Sequence, residues 1–380
     1  MESGNFEAAH PNDKVDLVTG KYGKKVNFRY VLTAAPLEPL KISPQSKKIR
    51  KKKKNFTEEI KSFAFRKGVD LFGISSAERL KKILPSLNQE YGKDDLIVIN
   101  DMDEGLHRRG YGPIIPFSIR ERKIIKGPND YLANAKSVIV IGLHYPDACI
   151  ERAGKPPSEG VGFYSVYAQW GVLTELASIA LDIVRYLENA GYRAVSTLDL
   201  TTISSKTLHP WGRIPDATSN RFAALCAGLG EIGWQGVVLT PEYGLRQRFI
   251  SIITDALLKP DNLYQGPTLC DRCFDCVDAC PIGALDKEKS VVLKIENKVF
   301  EFGKLDRLRC DWAKTYGLVG EAGPKYLGSQ TNILPPEKIT PNVLCEALRK
   351  MDPGQRRLLC ILEKCLTNCP VRGNYEKKSR

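Results

Sequence analysis

Four cysteines spaced Cys270-x2-Cys273-x2-Cys276-x3-Cys280, the last followed by Pro281, dominate the chemistry open to this chain. Three thiolates two residues apart can wrap the corner irons of a 4Fe–4S cube while loop amides point at its sulfides. The fourth, pushed onward by a proline of fixed φ, reaches a different cube, as in the bacterial-type ferredoxin run. A second cluster is therefore expected, and thiols for it follow at Cys310, Cys360, Cys365 and Cys369, the last again before a proline, Pro370. By the exchange rule Cys369 completes the first cube with Cys270, Cys273 and Cys276, while Cys280, Cys310, Cys360 and Cys365 hold the second. A zinc ribbon uses C-x2-C pairs and explains neither the third cysteine nor the repeated Cys-Pro.

Of the eleven cysteines, Cys149, Cys226 and Cys345 are left over, all in apolar surroundings. A cysteine so placed usually serves as a small hydrophobe. Cys345, on a helix opened by Thr340 and Pro341, is the rival to Cys360, because the spacing Cys360-x4-Cys365 is irregular. The histidines are His10, His107, His144 and His209, too scattered for a histidine-rich metal site, and His144 reads as a strand-end residue.

The elements that must position these groups come from periodicity. Thr57 can cap a helix with Ile60, Phe63 and Ala64 on its apolar face, stopped by Gly68. Val69–Ile74 reads as a strand, and Ser75 with Glu78 as a capping box for the next helix. The β-branched run Ser137–His144 is a central strand. Tyr164 to Ala190 favours one long helix burying Leu173, Leu176, Ala177, Ala180, Ile183, Val184 and Leu187. Further strands are expected at Val237–Thr240 and Phe249–Thr254. This alternation fits an α/β layer domain over residues 56–258, bounded by the turn-rich Pro260–Pro267. Residues 1–55 form a polar extension with Pro36, Pro39 and Pro44, and the cysteine-organised part covers 259–372 with a tail at 373–380.

Gly228-Leu229-Gly230-Glu-Ile-Gly233 matches G-x-G-x-x-G, which in a dinucleotide fold must follow a strand and open a helix. A strand-like run closed by Pro241 follows it instead, so the segment reads as a tight turn. That turn brings backbone close either to a large cofactor or to a neighbouring strand.

The chain has 380 residues, at roughly 150 per domain enough for two or three domains. Its 42% hydrophobic and 27% charged residues suit a globular protein and argue against disorder. The net charge is +13, of which seven charges fall between Lys47 and Lys54. Such a run can meet nucleic acid or an anionic membrane surface, or form a solvated connector. No apolar run approaches the ~18 residues of a membrane span, and the first thirty residues lack a secretory core or twin arginine. A cytoplasmic protein is expected, with its thiols outside disulfides.

Ala227-Gly-Leu-Gly-Glu-Ile-Gly233, then Leu239-Thr-Pro-Glu-Tyr-Gly244, Arg246, Arg248 and Thr254-Asp-Ala256, leading into the Cys270 run, resembles the corrinoid-dependent reductive dehalogenases. More distantly it is similar to epoxyqueuosine reductase, and Cys310-Asp-Trp312 also resembles the isolated cysteine before the family's last cysteine group. The resemblance implies an α/β (α+β) fold in which a nitroreductase-like domain cradles cobalamin against a two-cluster ferredoxin domain. It implies corrinoid contacts at Gly228, Leu229, Gly230, Gly233, Thr240, Tyr243, Arg246 and Arg248. A low-potential donor such as ferredoxin or flavodoxin would supply electrons to the two 4Fe–4S clusters, and a small organic molecule would be the substrate. The cobalamin is expected base-off with no protein nitrogen on cobalt, because the nearest approach to D-x-H-x-x-G, Gly105-Leu-His107-Arg-Arg-Gly110, has glycine where the aspartate should be.

The chain departs from the family in three ways. It shows no twin-arginine signal, its Cys310–Cys360 spacer is long and ends in C-x4-C, and no helical repeats follow the clusters. The last departure disfavours a tRNA substrate, leaving nucleic acid a secondary reading. An electron carrier or reductive activator of a corrinoid protein is the other alternative. Reductive cleavage needs a proton donor. Tyr164-Ser165-x-x-Ala168 resembles the tyrosine stretch of reductive dehalogenases and makes Tyr164 the expected acid, with Tyr167 in reserve. Core packing at a helix start is the competing reading of both rings.

Overall fold

Alternate residues of Ser137–His144 are β-branched or apolar on both sides of the chain, so this strand must be covered on both faces. In the computed structural model seven of its eight residues are buried. The structure describes residues 56–91, 95–101, 115–121, 126–146, 148–151, 171–197, 220–314, 318–319, 331–350 and 364–374. The N-terminal extension with its basic run, Tyr164, Tyr167 and Cys360 lie outside them.

The elements in chain order are α1 (Phe56–Arg66), β1 (Leu71–Ser76), α2 (Ala77–Lys82), α3 (Leu84–Tyr91), β2 (Asp95–Asp101), β3 (Ile115–Glu121), α4 (Pro128–Tyr131), β4 (Ser137–His144), α5 (Ala148–Glu151), α6 (Val172–Asn189) and β5 (Ala194–Ser196). They continue with α7 (Asn220–Cys226), β6 (Glu231–Ile232), β7 (Val238–Leu239), β8 (Gln247–Thr254), α8 (Asp275–Asp278), β9 (Ser290–Ile295), β10 (Lys298–Gly303), α9 (Arg307–Lys314), α10 (Pro341–Arg349) and α11 (Lys364–Thr367). The central sheet has the order β1-β4-β8-β5, and every pairing in it is antiparallel.

Period-two alternation divides β4 between two cores. Ile139, Ile141 and Leu143 face α1 and α6, meeting Ile60, Ala64, Leu176, Ala180, Ile183 and Leu187. Val138 and Val140 face the other way, against Leu80 of α2 and Phe222–Cys226 of α7. The mixed helix–strand pattern is thus a three-layer arrangement. Each fully buried aliphatic side chain contributes roughly 1.5–3 kcal/mol. α6 ends at Gly191, whose φ of 88° is a backbone state that glycine reaches without penalty.

Two local expectations shift. Ser76, not Ser75, caps α2: its side chain accepts from the Arg79 N–H at 3.1 Å, while the Ser75 hydroxyl donates to the Ser76 carbonyl. Thr57 lies inside α1, and its hydroxyl oxygen accepts from the Lys259 N–H at 3.0 Å, which ties the later segment to the first helix.

Residues after Pro260 are sewn into the same body. Ile74 N–H donates to the Asp261 carboxylate at 2.8 Å, and Asp261 N–H returns a bond to the Ile74 carbonyl. The β9–β10 hairpin inserts Leu293, Ile295, Phe300 and Phe302 into the core that holds α7. A third core, of Ile282, Ala284, Trp312, Leu344, Ala347 and Leu348, lies beside Cys280 and Cys310. Buried Arg79 clamps these parts: its guanidinium donates to the Cys226 and Asp261 carbonyls at 2.6 and 2.8 Å and to Glu296 at 2.8 Å.

Candidate functional site

The Cys270 loop has an unusual backbone. Arg272 and Phe274, each directly flanked by cysteines or their neighbours, have φ of 60° and 65°. Non-glycine residues rarely adopt this left-handed state, and alternating handedness of this kind is the backbone pattern of the anion-binding nests used at iron–sulfur sites. Asp271 supports the turn by accepting from the Cys273 N–H at 3.1 Å. Phe274 then caps the short helix α8, which carries Cys276 into the interior.

Helix α11 packs against α8 and so delivers Cys369 from far along the chain. Burial pushes the Cys276 thiol up to about 12, and the neighbouring Cys369, Cys270 and Cys273 push in the same direction. Burial likewise holds Cys369 at about 11, opposed by the Val371 N–H and reinforced by Cys270 and Cys273. Cys270 and Cys369 both pack against the first core, Cys276 is buried and Cys273 is exposed. Amide donors meet the sulfurs: Asp275 N–H at Cys273, Val371 N–H at Cys369, and Ala284 N–H at Cys280 at 3.3 Å. Among the described residues no three His, Cys, Asp or Glu side chains close around a single ion. Four thiolates around a cube stand further apart than around one ion, because each meets a separate iron. The donor set and the amide-lined loop fit a 4Fe–4S cluster.

The second group is less complete. Cys280 and Cys310 lie together against the third core. Cys365, like Cys270 and Cys369, packs against the first core, and Cys360 falls outside the described residues. Cys345 is buried on α10, whose Leu344, Ala347 and Leu348 enter the core beside Cys280 and Cys310.

The glycine segment leads directly into this site. A Cβ on Gly228 would collide with the Asn262 carbonyl, and one on Gly230 with the Leu239 carbonyl. The chain's own backbone therefore occupies the space beside both, a loop at Gly228 and strand β7 at Gly230. Gly233 abuts the Gln235 amide, and Leu229 packs against the second core. Glu231, between the glycines, was not singled out by sequence reasoning. Its carboxylate accepts from the Leu269 N–H at 2.9 Å and from Lys298 Nζ at 3.0 Å, fixing the entry to Cys270. A lone carboxylate inside a glycine motif was the available signal.

The turn between β7 and β8 carries the remaining predicted contacts. Thr240 is fully buried and accepts from the Tyr243 N–H at 3.1 Å. Tyr243 stacks on His144 with ring centroids 4.6 Å apart, and its phenol is held above its ordinary value by burial, then by Asp70 and Glu242. It therefore keeps its proton. Arg246 is buried, and Arg248 lies over the Tyr145 ring at 5.9 Å. The Asn374 N–H donates to the Pro241 carbonyl at 2.8 Å, so this turn is fastened to the segment leaving Cys369.

A tetrachloroethene reductive dehalogenase of Desulfitobacterium hafniense is 32% identical over 151 residues, covering 37% of this chain and 24% of that protein. The epoxyqueuosine reductase of Bacillus subtilis (strain 168) is 27% identical over 233 residues, 60% of this chain and 51% of the relative. The relatives of this chain are reductive dehalogenases and epoxyqueuosine reductases. The matched part thus spans between a quarter and about half of the length of these relatives. Among solved structures, the catabolic reductive dehalogenase NpRdhA aligns with a TM-score of 0.45 at 20% identity, covering 69% of this chain and 29% of that one. A Bacillus subtilis epoxyqueuosine reductase aligns with a TM-score of 0.42 at 20% identity, covering 83% and 65%. No protein-family model matches. Among the described residues no helix is long and apolar enough to cross a membrane.

Proposed function

We propose that this protein is a corrinoid-dependent reductase that passes electrons through two 4Fe–4S clusters to base-off cobalamin for reductive cleavage of a small organic substrate. In this reading residues 56–258 are a nitroreductase-like cobalamin domain and residues 259–372 a ferredoxin-like domain. The observation that supports it is the packing of α11 on α8, which brings the Cys369 segment to the Cys276 helix, with Cys270 and Cys369 both against the first core. When bound, the clusters supply single electrons and the corrinoid supplies a strongly reducing cobalt centre.

The chain's own residues have distinct tasks. The Cys270 loop offers thiolates and inward amides. Glu231 holds the loop's entry, and the Thr240–Gly244 turn with Arg246 and Arg248 forms the wall for the corrinoid. Cys280, Cys310, Cys360 and Cys365 are the ligands of the second cluster. Tyr164 is the proton donor, with Tyr167 in reserve, and a ferredoxin or flavodoxin is the electron source in the cytoplasm.

The decisive experiment is an anaerobic reconstitution with iron, sulfide and cobalamin, followed by desalting and an ultraviolet–visible spectrum. A retained corrinoid band supports the enzyme. Iron–sulfur absorption alone supports an electron carrier instead.

A second reading has its own support: the epoxyqueuosine reductase match covers more of this chain, 60% against 37%. Turnover of a chlorinated alkene or aromatic against turnover of an epoxyqueuosine-containing tRNA stem loop decides between the two. With either substrate, Tyr164→Phe at full cluster and corrinoid loading should abolish turnover, and unchanged turnover returns Tyr164 to a packing role.

A further inference from the structure

We propose that the Arg272–Glu301 ion pair sets the reduction potential of the cluster held by Cys270, Cys273, Cys276 and Cys369. The inference rests on the cluster reading above. Arg272 is the sole cation between Cys270 and Cys280, a stretch that also carries Asp271, Asp275 and Asp278. Its left-handed backbone stands between two cluster ligands, and its side chain leaves the loop toward β10. There its Nη2 donates to Glu301 Oε2 at 2.6 Å, and the guanidinium lies over the Trp234 ring at 5.5 Å.

The surroundings hold this geometry in place. Trp234 is 4% exposed, donates its indole N–H to the Asp286 carbonyl at 2.9 Å, and meets Phe274 edge-on at 5.1 Å. Glu301 also accepts from the Ser290 hydroxyl, and that bond and the Arg272 guanidinium hold its carboxyl below the usual range. Ser290 and Glu301 lie on the two strands of the β9–β10 hairpin, which is itself anchored in the core. The pair therefore joins the cluster loop to a rigid part of the fold.

Adding an electron to the cluster adds a negative charge. An uncompensated cation beside the ligands would favour the reduced form and raise the potential, and a carboxylate opposes this. With the pair intact, Glu301 cancels most of the Arg272 field. The cluster then senses mainly the loop carboxylates and stays strongly reducing, as delivery of electrons to cobalt requires. The pair is partly exposed, 49% and 33%, so salt weakens each field and the effect is largest at low ionic strength.

The test is an anaerobic redox titration of the reconstituted full chain, monitored by electron paramagnetic resonance, with iron and sulfide counted in each sample. The signal lost in Cys369→Ala identifies the cluster concerned. Glu301→Gln should raise its midpoint, Arg272→Gln should lower it, and Arg272→Lys should restore the wild-type value. The double variant Arg272→Gln/Glu301→Gln should fall between the two single variants. High salt should shrink all the shifts. A purely structural pair would cost iron without moving the midpoint of the cluster that remains. Fully loaded Glu301→Gln and Arg272→Gln proteins titrating with the wild type, or both moving in one direction, would overturn the proposal. Wild-type protein that assembles no cluster on these cysteines would overturn the cluster reading itself, and this inference with it.

Discussion

Gly244 and Val371 approach so closely that a Cβ on Gly244 would strike the Val371 carbonyl oxygen. Gly373 makes the reciprocal approach to the Glu242 carbonyl. The Thr240–Gly244 turn and the segment leaving Cys369 are therefore packed backbone to backbone. Gly244 also has a φ of 57°. Gly244→Ala should cost about 2–4 kcal/mol, from the left-handed penalty plus overpacking. The variant should unfold at lower denaturant and lose iron from the cluster that Cys369 closes. Wild-type iron content would show that the turn and the cluster ligand are not coupled.

Eight irons and eight acid-labile sulfides are expected per reconstituted chain, from the two Cys-Pro groups and ligand exchange between them. Cys369→Ala should damage the cluster built on Cys270, Cys273 and Cys276, because α11 packs its segment against α8. Cys360→Ala should remove the second cluster, and Cys345→Ala should leave the count at eight. Elemental analysis with electron paramagnetic resonance reads each outcome. Four irons in the wild type would refute the pairing.

Arg79 and Glu296 form one salt bridge with unequal partners, the side chains being 9% and 45% exposed. Arg79→Ala strands the Cys226 and Asp261 carbonyls as well as the carboxylate, and should cost roughly 2–4 kcal/mol. Glu296→Ala loses a half-exposed charge and should cost under about 1 kcal/mol. Urea midpoints measure both, and equal costs would place the clamp in the ion pair rather than in the carbonyls.

Cys226 should resist chemistry. Burial pushes its thiol up to about 12, with Arg79 pulling down and Glu296 pushing up. A folded value above the ordinary 9.0 means that the folded chain keeps a proton the unfolded chain gives up. The stability contribution is complete below pH 9 and is lost as pH rises toward 12. Cys226→Ala should flatten this alkaline decline, seen as a narrowing gap in melting temperature between pH 8 and higher pH. In native protein at pH 9, iodoacetamide should label exposed Cys273 of the cluster-free form well before Cys226.

Much of this was legible in the residues. Ser137–His144 emerged as a central strand within its stated limits, because the four β-branched residues Val138–Ile141 between polar ends favour a strand over a helix. The cysteine loop was legible as a tight turn, since its short spacing encodes the geometry locally, whereas the approach of the Cys369 segment depends on tertiary packing. What escaped was long-range. Nothing in Glu231 or Glu301 announces a partner 38 or 29 residues away, because charge pairs carry no periodic signature. The cap of α2 moved by one residue, since Ser75 and Ser76 offer the same hydroxyl and only burial of Ser75 on the sheet separates them. The glycine motif left two meanings open, and the identity of the crowding backbone, Asn262 or Leu239, depends on tertiary packing.

In the proposed cluster, the pairing of Cys369 with Cys270 imposes an order on biosynthesis. Three ligands emerge from the ribosome about a hundred residues before the fourth, an interval of roughly 5–20 seconds at ordinary elongation rates. During that interval the nascent pocket has a vacant corner, open to thiols, oxygen or the wrong metal. In that reading cluster loading waits for Cys369, and a product stalled or nicked before it presents a three-thiolate site.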